Sequence, residues 1–196
     1  MKLKIVSLAI LAISVLNVSA QSFHFGAKAG ANIYKLKGQS FNDQFSFGYH
    51  LGGFAEIGIG KKWSIQPEVI FNQVNVDTTD KFNQIYKNFI STKTTQIKLS
   101  YLSIPILANY NISKFLSLQA GPQFGILIDQ NKDLLVNGKD AFKKGDLSLL
   151  AGLQLKFAGF RVYGRYAIGL SNLNDIDNKD EWKSQSIQLG VGIAIF

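Results

Sequence analysis

The sequence predicts an all-β protein: an eight-stranded antiparallel up-and-down transmembrane β-barrel. Three observations carry this. Apolar residues alternate with polar residues or glycine along eight segments, the period at which a strand sends side chains to opposite faces. The segments run ten to fourteen residues, longer than the five or six usual in soluble sheets and suited to a tilted crossing of a bilayer. The connections between them are short and long in strict turn, as periplasmic turns and outer loops are in such barrels.

The chain opens with an export signal. Lys2 and Lys4 precede the apolar stretch Ile5–Leu16, and Val18-Ser19-Ala20 supplies small residues before Gln21. This reads as a signal peptide over 1–20, followed by one barrel domain over 21–196. The apolar stretch is short for a membrane helix, and no later run of eighteen apolar residues occurs. The chain has no cysteine, so neither a disulfide nor a thiolate metal site enters the argument.

The first segment, Phe23–Tyr34, has an apolar residue at every odd position, from Phe23 to Ile33. Ser46–Ile59 follows with Phe47, Tyr49, Leu51, Ala55 and Ile57 on one face. Trp63–Val74 offers Trp63, Ile65, Pro67, Val69 and Phe71. Ile97–Tyr110 offers Leu102, Ile104, Ile106, Ala108 and Tyr110. Leu116–Ile128 offers Leu116, Leu118, Phe124, Ile126 and Ile128. Asp146–Phe157 offers Leu147, Leu149, Leu153, Leu155 and Phe157. Phe160–Leu170 offers Phe160, Val162, Tyr166, Ile168 and Leu170. Ser186–Ile195 offers Ile187, Leu189, Val191, Ile193 and Ile195. The opposite faces read as small and polar, with recurrent glycine such as Gly26, Gly30, Gly52, Gly152 and Gly190. Glycine weakens a strand, but it suits the inside of a narrow tube.

The tight connections are Gly60–Lys62, Asn111–Phe115 and Ala158-Gly159. Trp63, Tyr110, Phe115, Phe157 and Phe160 flank them, where an interfacial aromatic girdle would lie. The strands leaving the first two turns begin alike, Trp63-Ser64-Ile65-Gln66 and Leu116-Ser117-Leu118-Gln119, a weak hairpin repeat.

Several stretches carry a family resemblance: Phe25–Asn32, Gly48–Asn72 with its Gln66-Pro67-Glu68, Tyr101-Leu102-Ser103-Ile104-Pro105, Gln119-Ala120-Gly121-Pro122 and Tyr163–Asn172. In this order and spacing the chain resembles the PorT-type outer-membrane β-barrel proteins of the Bacteroidetes. The resemblance implies an outer-membrane location and, through the founding member, a link to protein secretion. Barrels of this kind often end in an aromatic residue on the lipid face, whereas Phe196 falls on the lumen parity.

The formal charge is +8, and +6 without Lys2 and Lys4. The four long connections hold eleven lysines against ten acids, so the excess lies in strands and tight turns. No basic patch with interleaved stacking aromatics results, which argues against nucleic-acid binding. Lys28, Lys98, Lys156, Arg161 and Arg165 share the lumen parity with Glu56 and Glu68. Buried charges are costly unless paired. In a closed eight-stranded barrel the second strand faces the sixth and the third faces the seventh. Glu68 and Arg165 each stand five residues beyond the start of their strands, so they are expected to pair across the lumen, with Glu56 near Lys156 and Arg161.

No catalytic, cofactor or metal site is expected. His24 and His50, the only histidines, lack a serine, cysteine or second histidine at ligand spacing, and read as structural. Eight strands enclose space that side chains fill. The main reading is therefore a plugged barrel, monomeric and surrounded by outer-membrane lipids. A narrow anion-leaning channel and a soluble lipocalin-like barrel are the alternatives. Any partner is expected at the connection 75–96, where Phe82, Tyr86, Phe89 and Ile90 recur at helical spacing.

Overall fold

The computed structural model describes residues 22–37, 46–77, 96–130, 145–172 and 183–195. Eight strands form one closed antiparallel barrel: β1 (Phe23–Lys37), β2 (Ser46–Gly58), β3 (Trp63–Asp77), β4 (Gln96–Asn111), β5 (Leu116–Gln130), β6 (Gly145–Phe157), β7 (Phe160–Gly169) and β8 (Lys183–Ala194). Each strand pairs with its sequence neighbours, and β1 closes on β8 through partners such as Ala29↔Val191. Closure leaves no edge strand, so the backbone donors and acceptors can be satisfied inside an apolar medium.

Strand number, order and facing agree with the sequence reading; strand ends differ. At the outer end several strands run further into polar sequence than expected. Lys35, Leu36 and Lys37 pair with Gln185, Ser184 and Lys183, and Asn75, Val76 and Asp77 pair with Lys98, Ile97 and Gln96. Backbone pairing needs no apolar side chain, so the ladder outlasts the apolar alternation that marked it. At the turn end β2 and β8 each stop one residue early, and β7 stops one residue early at the outer end.

The apolar face points outward in every strand. Leu149, Val191 and Ile193 are 51%, 59% and 46% exposed, whereas Gln154 and Arg165, on the other parity, are 1% and 3% exposed. The inward face is less uniformly small and polar than the sequence suggested. Tyr34, Phe54, Ile70, Leu99, Tyr101, Leu107, Leu150 and Tyr163 are buried there too. Glycines sit beside these bulky groups. A Cβ on Gly190 would collide with the Tyr163 ring, and one on Gly30 would lie 2.6 Å from Cε1 of His50. At these two positions glycine makes room for a specific large neighbour, whereas at Gly26 and Gly121 a Cβ would meet the backbone of the adjacent strand.

The three prolines of the chain lie in adjacent strands, and each coincides with an interruption of a ladder. Between β2 and β3 the pairing skips Ala55–Glu56 opposite Gln66–Pro67. Between β3 and β4 it skips Glu68–Val69 opposite Ile104–Pro105. Between β4 and β5 it skips Ile106–Leu107 opposite Gly121–Pro122. Proline has no N–H to donate, so a strand pair loosens where one sits. On the outside, Gly53, Phe54, Ala55, Pro67, Val69 and Ile104 line a shallow apolar groove at this seam.

The short turns close the other end. In the first, the Ile59 amide donates to the Trp63 carbonyl at 2.9 Å. In the second, the Ser113 hydroxyl accepts from the amides of Phe115 (3.2 Å) and Leu116 (3.1 Å). In the third, Ala158 takes a left-handed φ of 53°. The aromatics expected at these turns point outward: Trp63 lies 4.9 Å from Tyr110 with the rings tilted, and Phe115 stacks at 6.2 Å from Phe157.

Candidate functional site: the charged lumen

The lumen holds two acidic centres. Glu68, from the middle of β3, receives Arg165 of β7 from across the barrel. Arg165 donates from Nη1 to Oε2 at 2.9 Å and from Nη2 to Oε1 at 2.8 Å. Oε1 also accepts from Lys28 Nζ at 2.8 Å and from Gln66 Nε2 at 2.6 Å. The two parallel bonds use the planar guanidinium, a geometry that lysine cannot provide. Lys28 comes from β1, two strands from Glu68. Its register partner on β2 is Gly52, which leaves the intervening strip of wall bare and the path to Glu68 open. One carboxylate thus faces two cations, and all three groups are at most 3% exposed.

Both cations also lie against the face of Tyr163, Lys28 Nζ at 3.8 Å and Arg165 Cζ at 4.5 Å from its centroid. The negative ring face attracts them where water is excluded. The Tyr163 hydroxyl is 2.5 Å from His50 Nε2, and His50 Nδ1 is 2.8 Å from Asn32 Oδ1. Asn32 donates to Asn72 at 3.1 Å, and Asn72 to Ser103 at 2.8 Å. In the other direction Arg165 Nε donates to Gln119 at 2.9 Å, and Gln119 to Asn109 at 3.0 Å. Asn109 donates to Gln66 at 2.9 Å and to Ser64 at 3.3 Å, and Ser64 to Glu56 at 3.0 Å.

Glu56, near the turn end of β2, is the second centre. Lys156 Nζ donates to Glu56 Oε1 and, at 3.0 Å, to Asn111 Oδ1. Arg161 Nε stands 3.8 Å from Glu56 Oε2, while its Nη1 donates to the carbonyls of Ala158 (2.9 Å) and Phe160 (3.2 Å). Polar side chains therefore connect both centres along the tube axis. This density of satisfied bonds rigidifies a core and makes any single deletion costly.

The structure brings Glu68 to Arg165 and gathers Glu56, Lys156 and Arg161, the groupings expected from parity and height. Sequence reasoning missed Lys28 as the second cation on Glu68, and missed Tyr163, Gln66, Asn109 and Gln119. All of these share the lumen parity; the partners of Lys28 and Tyr163, and Arg165 for Gln119, lie on non-adjacent strands, whereas Gln66, Asn109 and Gln119 also bond within their own strand or to a neighbouring one. The expectation for Lys98 fails on parity, since in β4 it shares the even positions of the apolar Leu102, Ile104 and Ile106 while the odd Tyr101, Ser103, Leu107 and Asn109 are the buried ones; its side chain and the residues Phe82, Tyr86, Phe89 and Ile90 lie outside the described residues. Among the described residues no three His, Cys, Asp or Glu side chains gather as a metal site.

A closed antiparallel tube with an apolar outer wall, an aromatic band at its short turns and ions inside defines an outer-membrane β-barrel protein. No curated protein sequence matches the chain. The chain belongs to the outer membrane protein beta-barrel domain family, which matches residues 19–175. Solved structures of similar fold include Ail, the attachment invasion locus protein of Yersinia pestis, at 16% identity and a TM-score of 0.52, covering 88% of this chain and 98% of that one. Neisserial surface protein A is similar at 13% identity and a TM-score of 0.54, covering 86% and 96%. OprG from Pseudomonas aeruginosa is similar at 10% identity and a TM-score of 0.50, covering 89% and 97%. At these identities the likeness is one of fold.

Proposed function

We propose that the protein is a non-catalytic, monomeric outer-membrane barrel that does not conduct, and that its role is structural or exerted through its outer loops. The carrying observation is the chain of buried polar side chains from Glu56 through Ser64, Asn109, Gln119 and Arg165 to Glu68, Tyr163 and His50. Opening a path for ions requires breaking charge-assisted bonds that have no water to replace them. Reconstitution into planar bilayers tests this. The expected record has no discrete current steps; anion-selective steps would instead support a narrow channel. The outward Leu149, Leu153 and Ile193 disfavour a soluble lipocalin-like barrel, and fractionation without detergent distinguishes the two.

The PorT-type reading, with its link to protein secretion, rests on the order and spacing of the motifs around Gln66-Pro67-Glu68 and Gln119-Ala120-Gly121-Pro122. An envelope protein docking on the loop within 75–96 is the corresponding partner hypothesis. Deleting residues 80–92 and cross-linking intact cells tests it: an unchanged set of cross-linked partners removes it. Export through residues 1–20 predicts a mature protein that begins at Gln21, which N-terminal sequencing reads directly.

A further inference from the structure

The short-turn end of the barrel opens into a blind funnel of about 610 Å³. Its floor is the second acidic centre, sealed above by the bonds among Ser64, Asn109 and Gln66. All three short turns contribute a cation to its wall or rim: Lys61 and Lys62 from the first, Lys114 from the second, and Lys156 and Arg161 from the strands flanking the third. Glu56 is the one acidic residue among the described lining residues. Lys61, Lys62 and Lys114 are exposed and form no ion pair among the described residues. At the floor, Arg161 is 5% exposed; its Nε has no hydrogen-bond partner and stands 3.8 Å from Glu56 Oε2, which also has none, and His24 Nδ1 elsewhere on the lining is unpartnered too. Buried polar atoms left without partners are rare and costly. Here the residues that carry them line a space that opens toward the periplasm.

We infer that this funnel is a periplasm-facing binding site for an anionic segment, one that presents carboxylates or phosphates. The three rim lysines concentrate negative charge at the mouth, and low-dielectric walls focus their field. At the floor, Arg161 and His24 carry polar atoms that the barrel leaves without a hydrogen-bond partner, and an acidic group draws these side chains toward the funnel. Glu56 is shared by Lys156 and Arg161, so the net attraction comes from their one excess positive charge and from the rim. The sealed floor makes the funnel a place of binding rather than passage, so the site does not depend on the outer loops.

The test uses the full mature chain in a non-ionic detergent, a fluorescent octaglutamate peptide and, separately, inorganic tripolyphosphate. Saturable binding is expected, weakening as salt screens the rim over about 10 Å at 0.1 M. The combined variant Lys61→Gln, Lys62→Gln, Lys114→Gln should lose about tenfold or more in affinity, with its β-sheet circular dichroism unchanged. These side chains are exposed, so the barrel folds without them. Arg161→Gln gives a second reading at the floor. Absence of binding to either probe overturns the inference, as does equal affinity in the rim variant. Binding that emerges only in bilayers containing phosphatidylglycerol also overturns it, because the lysines then serve lipid phosphates at the inner interface.

Discussion

Arg165 and Glu68 clasp each other across the barrel through two parallel bonds of 2.8 and 2.9 Å, from β7 to β3. Lys28 shares the same carboxylate at 2.8 Å, so the unit is a triad with an excess positive charge. This makes its three members unequal. Replacing Glu68 by methionine leaves two cations facing each other without a counter-charge, and is expected to cost about 3–5 kcal/mol. Arg165→Met or Lys28→Met leaves one balanced pair and costs less. The triple methionine variant should be more stable than Glu68→Met alone. Urea unfolding in liposomes checks the order; a Glu68→Met variant as stable as Lys28→Met removes the triad from the argument.

Gly190 and Tyr163 are fitted to each other. A Cβ on Gly190 would lie 2.5 Å from Cζ of the Tyr163 ring and 2.7 Å from the Ala29 carbonyl oxygen. Gly190→Ala is therefore expected to destabilise by about 1–3 kcal/mol through overpacking. Tyr163→Leu in the same chain should recover part of the loss, since the backbone oxygen remains in the way. A double-mutant cycle measures this coupling, and strict additivity would contradict it.

The proline seam weakens the wall between β2 and β5. Pro67→Ala, Pro105→Ala and Pro122→Ala each restore an amide donor to a ladder that now skips that position. Each restored bond is worth about 1 kcal/mol where the backbone geometry accepts it. The triple variant is expected to unfold at higher denaturant and to exchange the amides of Glu68, Val69 and Leu107 more slowly. Hydrogen exchange followed by mass spectrometry reads this out, and unchanged protection would show that the gaps arise from barrel curvature instead.

Ala158 holds a left-handed φ of 53° in the last short turn, a conformation disfavoured for a residue bearing a Cβ. Arg161 supports the turn by donating to the Ala158 carbonyl at 2.9 Å. Ala158→Gly relieves the strain and should stabilise the barrel by about 0.5–1 kcal/mol. A lower unfolding midpoint would mean that the added freedom of glycine in the unfolded chain outweighs the relief.

Much of this was legible beforehand. The alternation through Leu149, Leu153 and Ile193 fixed which side meets lipid, and it put Glu56, Glu68, Lys156, Arg161 and Arg165 inside. Counting from the strand starts even matched Glu68 to Arg165, because those two strands rise in parallel on opposite walls. Lys28 escaped the same counting. It reaches Glu68 from β1 over Gly52, and nothing in the order of residues says that a glycine opposite a lysine is a passage. The seam at the three prolines appears only in the pairing register, because no single strand shows where its neighbours are interrupted.

What the sequence determined alone is the count of strands, their facing and the sign of the charge enclosed, because two-residue alternation is a local property of the extended chain. What only the tertiary structure decided is which enclosed groups meet. Heights across the lumen depend on the tilt and stagger of eight strands closing on each other. That closure joins Arg165, Lys28 and Tyr163 around one carboxylate, and leaves Arg161 Nε and His24 Nδ1 buried without a hydrogen-bond partner.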